Sequence, residues 1–86
     1  MSEKILLVDD DLNVLLAYRR HIQNKFNVII AESGTKGIAA LKEQGPFAVV
    51  VSDYRMPGMD GIQFLSQSHQ LAPDTVRIMF TGHADV

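Results

Sequence analysis

The sequence predicts an α/β fold, a doubly wound parallel sheet with helices on both faces. Two observations carry this prediction. Four short apolar runs, Ile5-Leu6-Leu7-Val8, Val28-Ile29-Ile30-Ala31, Phe47-Ala48-Val49-Val50-Val51 and Val76-Arg77-Ile78-Met79-Phe80, are continuous more than alternating, which suits strands covered on both faces. The stretches between them have helical spacing, so the order reads βαβαβαβ. Strands and helices alternating in this way imply right-handed crossovers and a parallel sheet.

Each helix has its own signals. The first is expected from Leu12 to Asn24, with Asp11 as its cap and Leu12, Leu15, Leu16, Tyr18 and Ile22 near one face. The second runs from Thr35 to Glu43, follows Ser33-Gly34, and ends at Gln44-Gly45-Pro46, which cannot continue a helix. Ile38, Leu41 and Ala39 are its expected inward residues. The third begins at Asp60-Gly61, turns Ile62, Leu65 and Phe64 inward, and stops near Ala72-Pro73. Tyr18, Phe26, Phe47, Phe64 and Phe80 are expected in the core or at its margin.

Composition narrows the class of protein. The chain of 86 residues is 47% apolar and carries a formal net charge of −2, which fits one small folded domain over residues 1–86 and argues against disorder. It has no cysteine, which excludes a disulfide scaffold. The mildly acidic balance argues against direct nucleic-acid contact. No apolar run approaches the roughly 18 residues of a membrane span, and no secretory signal is visible, so the expected location is cytoplasmic.

The polar residues gather where a parallel sheet binds its ligands, beyond the carboxyl ends of the strands. The first strand ends in Asp9-Asp10-Asp11, the third in Ser52-Asp53 and the fourth in Thr81-Gly82. Asp11 is accounted for as a helix cap, but one cap needs one acid, and crowded carboxylates repel one another unless a cation offsets the charge. Asp53 has no capping role, because the next helix starts several residues later. Two or three carboxylates with a backbone carbonyl make a site for a hard divalent ion such as Mg²⁺. A carboxylate can also be the nucleophile that accepts a phosphoryl group.

The stretches Val8-Asp9-Asp10-Asp11, Val49 through Gly61 with its D-x-x-M-P-x-M-D-G pattern, and Met79-Phe80-Thr81-Gly82 resemble the receiver domain of two-component response regulators. The resemblance spans the whole chain. It implies a flavodoxin-like sheet of order 2-1-3-4-5, with Asp53 as the aspartate phosphorylated by a histidine kinase or phosphotransfer protein. Asp10 then matches the direct Mg²⁺ ligand, alongside Asp53 and the backbone carbonyl of Arg55, and Asp9 acts mostly through water. Thr81 matches the switch hydroxyl. Pro57 and Gly58 suit positions i+1 and i+2 of a type II turn that shapes the site. Arg55 and Gly82 are expected to tune access of water to the acyl phosphate.

Similar domains are longer, so a fifth strand, its lysine and aromatic residue, and the last helices are expected to be absent from this sequence. Lys4 lies at the wrong end of its strand to replace that lysine, and Lys36 is expected in an outlying turn. The Val76 to Phe80 strand would then be an exposed apolar edge, which implies a dimer or a strand-exchanged assembly. The resemblance also implies a downstream output domain, with a weak likeness to receivers joined to enhancer-binding transcriptional activators or cyclic-dinucleotide phosphodiesterases. Enzymatic activity would be limited to self-phosphorylation and autodephosphorylation.

Three alternatives are weaker. A haloacid-dehalogenase-like phosphatase needs a second aspartate two residues after the nucleophile, where this chain has Arg55. A nucleotide site at Gly34-Thr35-Lys36-Gly37 lacks phosphate-loop spacing. A receiver used only for protein contacts would not need its acids and Thr81. His21, His69 and His83 lack metal-ligand spacing, and Tyr54 is the one aromatic expected to matter at the site.

Overall fold

The computed structural model describes residues 3–80. Its elements run β1 (Lys4–Val8), α1 (Leu12–Ile22), β2 (Asn27–Ala31), α2 (Gly34–Gln44), β3 (Val49–Asp53), α3 (Gly61–Leu71) and β4 (Val76–Phe80). All pairings are parallel and the strand order is β2-β1-β3-β4. This is the doubly wound topology that the alternation of strands and helices predicts. Because chain order reverses direction on either side of β1, the carboxyl ends of β1 and β3 lie side by side at the switch point.

The core lies between the sheet and the helices α2 and α3. Leu6, Val8, Ala31, Val50 and Phe47 meet Ala40 and Phe64 there, and Met56 closes the end nearest the loop after β3. On the opposite face, Leu15 of α1 is buried and α1 packs along β2. Each helix start is satisfied by a side chain. Asp11 accepts from the N–H groups of Asn13 and Val14, and Ser33 from Lys36 N–H. Asp60 and Gln63 form a reciprocal capping box at α3.

Several expected details differ. The first helix ends at Ile22, because the N–H groups of Lys25 and Phe26 both turn back to the Ile22 carbonyl. In α2 the buried positions are Gly34, Gly37 and Ala40, and Ala39 faces solvent. The helix approaches so closely that a Cβ on Gly37 would stand 2.7 Å from the Phe64 ring, so small residues line the contact while Ile38 and Leu41 flank it. In α3, Gly61, Phe64 and Ser68 face inward, one to two turns apart, and Ile62 is exposed. Lys36 lies in α2, where it pairs with Glu32 at 3.7 Å.

The strands are not all covered on both faces. Val76, Ile78 and Phe80 of β4 are 57%, 46% and 40% exposed. Alternation places them on the α1 side of the sheet, in register with Val49, Val51 and Asp53, where α1 leaves all three partly open. Among the described residues β4 pairs only with β3, so the apolar edge expected from the sequence is present. Leu12 and Tyr18 are likewise exposed, and Tyr18 meets Phe80 edge to face, with ring centroids 5.7 Å apart.

Candidate functional site

At the carboxyl ends of β1 and β3 the chain brings three carboxylates together. One oxygen each from Asp9, Asp10 and Asp53 lies within 4.8 Å of the others. Strand pairing explains the convergence: Val8 is in register with Ser52, so the residues just beyond each strand register meet at the switch point. Asp53 is almost fully buried at 2% exposure and Asp9 nearly so at 8%, while Asp10 is open to solvent.

Main-chain donors hold the two buried acids. Asp9 accepts the Asp11 N–H at 2.9 Å, which fixes the turn from β1 into α1. Asp53 Oδ1 accepts the N–H of Tyr54 at 2.9 Å, and that same N–H also reaches the Phe80 carbonyl at 3.1 Å. Burial raises the Asp9 carboxyl above its ordinary value, and the charges of Asp53 and Asp10 push the same way, against the Asp11 N–H. Three acids this close are therefore strained as a set of anions. A divalent cation is the chemistry that relieves such a set, and an all-oxygen donor set suits Mg²⁺.

The loop from β3 to α3 forms the second wall. Met56 is buried beneath it, and Gly58 has φ +76°, the left-handed conformation that the third position of a type II turn requires. Gly58 thus has the backbone sign expected of it, within a bend over residues 57–59. The loop then docks tightly onto the strand. Gly61 N–H donates to the Tyr54 carbonyl at 3.0 Å, and a Cβ on Gly61 would lie 2.3 Å from the Asp53 carbonyl oxygen.

Two clefts flank the acids. One is lined by Asp10, Tyr54, Arg55, Met56, Pro57 and Asp60, so Asp10 and the Arg55 segment share a wall. The other is lined by Asp9, Asp10, Asp11, Val14, Tyr18, Asp53 and Phe80. Tyr54 stands at the site as expected. Tyr18 and Phe80 also border it, although as apolar residues of a helix and a strand they read as core. The signal was strand parity, since Phe80 is the register partner of Asp53. Asp11 both caps α1 and lines the second cleft. Lys4 is remote, at the other end of β1, where its Nζ donates to the Gln44 carbonyl. Thr81, Gly82 and His83 lie outside the described residues.

The fold and site define a class: a doubly wound parallel α/β protein with an acidic site at the carboxyl ends of its central strands. Within that class the chain belongs to the response regulator receiver domain family, whose sequence profile matches residues 5–86. The hydrogenase transcriptional regulatory protein HoxA of Cupriavidus necator is 36% identical over 88 residues, covering 99% of this chain and 18% of HoxA. The DNA-binding transcriptional regulator NtrC of Salmonella typhimurium is 35% identical over 83 residues, covering 95% of this chain and 18% of NtrC. The chain thus spans about a fifth of the length of these curated relatives. A CheY-like receiver domain protein from Methanospirillum hungatei JF-1 superposes with a TM-score of 0.90 at 31% identity, over 100% of this chain and 69% of that one.

Receiver domains are signalling modules of two-component systems, not classical enzymes, and they bind Mg²⁺ at an acidic phosphorylation site. Among the described residues, no helix is long and apolar enough to cross a membrane.

Proposed function

We propose that residues 1–86 form a receiver module that takes a phosphoryl group from the phosphohistidine of a histidine kinase or phosphotransfer protein onto Asp53. The observation that carries this reading is the convergence of the Asp9, Asp10 and Asp53 carboxylates within 4.8 Å at the switch point of the sheet. In the transfer, an Asp53 carboxylate oxygen bonds to phosphorus as the N–P bond of the donor breaks, and that electron pair stays on the departing imidazole. The product is an acyl phosphate.

Asp10, Asp53 and the Arg55 backbone carbonyl would hold Mg²⁺ directly, with Asp9 acting through water. When bound, the ion supplies the positive charge that lets an anionic phosphoryl group approach an anionic acceptor. The chain's own part is positioning. The Tyr54 N–H orients the Asp53 carboxylate, and the Pro57-Gly58 bend carries the main chain of Arg55 past the acids. Thr81 is the proposed switch hydroxyl.

The resemblance to HoxA and NtrC supports a role in transcriptional control through an output domain, in the cytoplasm, with no nucleic-acid or membrane contact by this module. The open face of β4 supports association with a second copy, as a dimer or by strand exchange. The direct test is mass spectrometry after incubation with acetyl phosphate, with and without Mg²⁺. A Mg²⁺-dependent gain of one phosphoryl group, lost in Asp53→Asn, is expected. No Mg²⁺-dependent gain, or an equal gain in Asp53→Asn, refutes the reading.

A further inference from the structure

Ser52 is the residue before the acceptor, completely buried, yet its side chain points to the opposite face of the sheet from Asp53. Its hydroxyl donates to the main-chain carbonyl of Asp53 at 3.0 Å. The start of α3 also lies close against that carbonyl oxygen, since a Cβ on Gly61 would come within 2.3 Å of it. The oxygen therefore sits between a hydroxyl and a bare Cα.

The peptide unit joining Asp53 to Tyr54 is planar, with its C=O and N–H pointing in opposite directions. Holding the oxygen on one side therefore aims the N–H on the other. That N–H is the one that reaches Asp53 Oδ1 and the Phe80 carbonyl. We propose that Ser52 and Gly61 are positioning residues: they clamp the acceptor's own carbonyl and so set the direction of the Tyr54 N–H that orients the Asp53 carboxylate. The proposal rests on the reading of Asp53 as acceptor and of the three acids as a Mg²⁺ site. Neither residue touches the phosphoryl group or the ion.

The clamp acts through geometry, so loosening it lowers ion affinity and acceptor reactivity together. Residues that orient metal ligands typically change affinity by about 10–100-fold when removed. The molecule provides a matched control in Ser68, which is 1% exposed and donates its hydroxyl to the main-chain carbonyl of Leu65 at 2.8 Å, on α3 and outside the acidic site. Ser52→Ala and Ser68→Ala each delete one buried hydroxyl bonded to a nearby carbonyl.

The test is a Mg²⁺ titration of the protein in its natural full length, wild type and the two variants, followed by the Tyr54 amide resonance in NMR spectra, with thermal unfolding measured in parallel. Ser52→Ala is expected to weaken Mg²⁺ binding about tenfold and to shift the Tyr54 amide before any ion is added. Ser68→Ala is expected to leave both unchanged while losing comparable thermal stability. Gly61→Ala is expected to lose Mg²⁺ binding, but it risks unfolding, so Ser52→Ala carries the decision. If wild type binds Mg²⁺ and Ser52→Ala binds it equally well, or Ser68→Ala weakens it as much, the clamp is overturned. If wild type shows no Mg²⁺ binding, the underlying reading of the acids fails, and the clamp with it.

Discussion

Replacing Asp9 with asparagine should stabilise the protein when no divalent ion is present. The acids crowd one another within 4.8 Å, and burial with repulsion from Asp53 and Asp10 already raises the Asp9 carboxyl. At that separation one like-charge pair is worth about 0.9 kcal/mol at the dielectric constant of water and about 3.5 kcal/mol at an effective value of 20. Asp9 and Asp53 are both buried, whereas Asp10 faces solvent. The first pair therefore sits nearer the upper figure and the second nearer the lower. An amide oxygen can still accept the Asp11 N–H, so that bond survives. Allowing for relaxation, a net gain of about 1–3 kcal/mol is expected, each kcal/mol raising the melting temperature by about 4–8 °C in a domain of this size.

The assay is urea unfolding followed by circular dichroism at neutral pH, with and without Mg²⁺ at matched ionic strength. Wild type should gain about 1.4 kcal/mol with Mg²⁺ at ten times its dissociation constant, and Asp9→Asn should gain less. The two curves then converge on adding the ion. An Asp9→Asn protein less stable than wild type without Mg²⁺, or an equal gain in both, would refute the electrostatic account.

The same site makes a pH prediction. Because the folded-state value of Asp9 lies above its unfolded one, the folded state loses this proton later as pH rises, so stability falls through that window and the deficit is complete above it. The advantage of Asp9→Asn should therefore be full at neutral pH and vanish in acid below about pH 4, as urea midpoints across pH would show. In the core, Phe64 is completely buried, and Phe64→Ala should cost about 3–5 kcal/mol by equilibrium unfolding; a loss under about 1 kcal/mol would contradict its place beneath Gly37. On the open face of β4, Ile78→Lys should abolish self-association measured by light scattering over a concentration series without loss of helical signal. A wild type that stays monomeric throughout would rule out that use of the face.

The topology was legible because the apolar runs are short, continuous and separated by well-capped helical stretches. The acids were legible for a related reason: Asp9, Asp10 and Asp53 directly follow or end strands, and a parallel sheet brings those ends together. Helix facing was less so. Hydrophobic spacing pointed rightly to Leu65, which packs against the core, but also to Ala39 and Ile62, which are exposed; close packing selects residues by size as well as polarity, and Gly37, Ala40, Gly61 and Ser68 carry no strong apolar signal. Ser68 can be buried because its hydroxyl is satisfied within its own helix, a bond that residue type alone does not announce. The margin of the site was missed because Tyr18 and Phe80 look like core residues until the register of β4 against β3 is known.

The chain has two tyrosines and no tryptophan, and both tyrosines border the acidic clefts, Tyr54 on one side and Tyr18 on the other. Its tyrosine emission therefore originates beside the carboxylates. The chain thus carries two native chromophores at the walls of its acidic pocket, and a change there can be followed without a label.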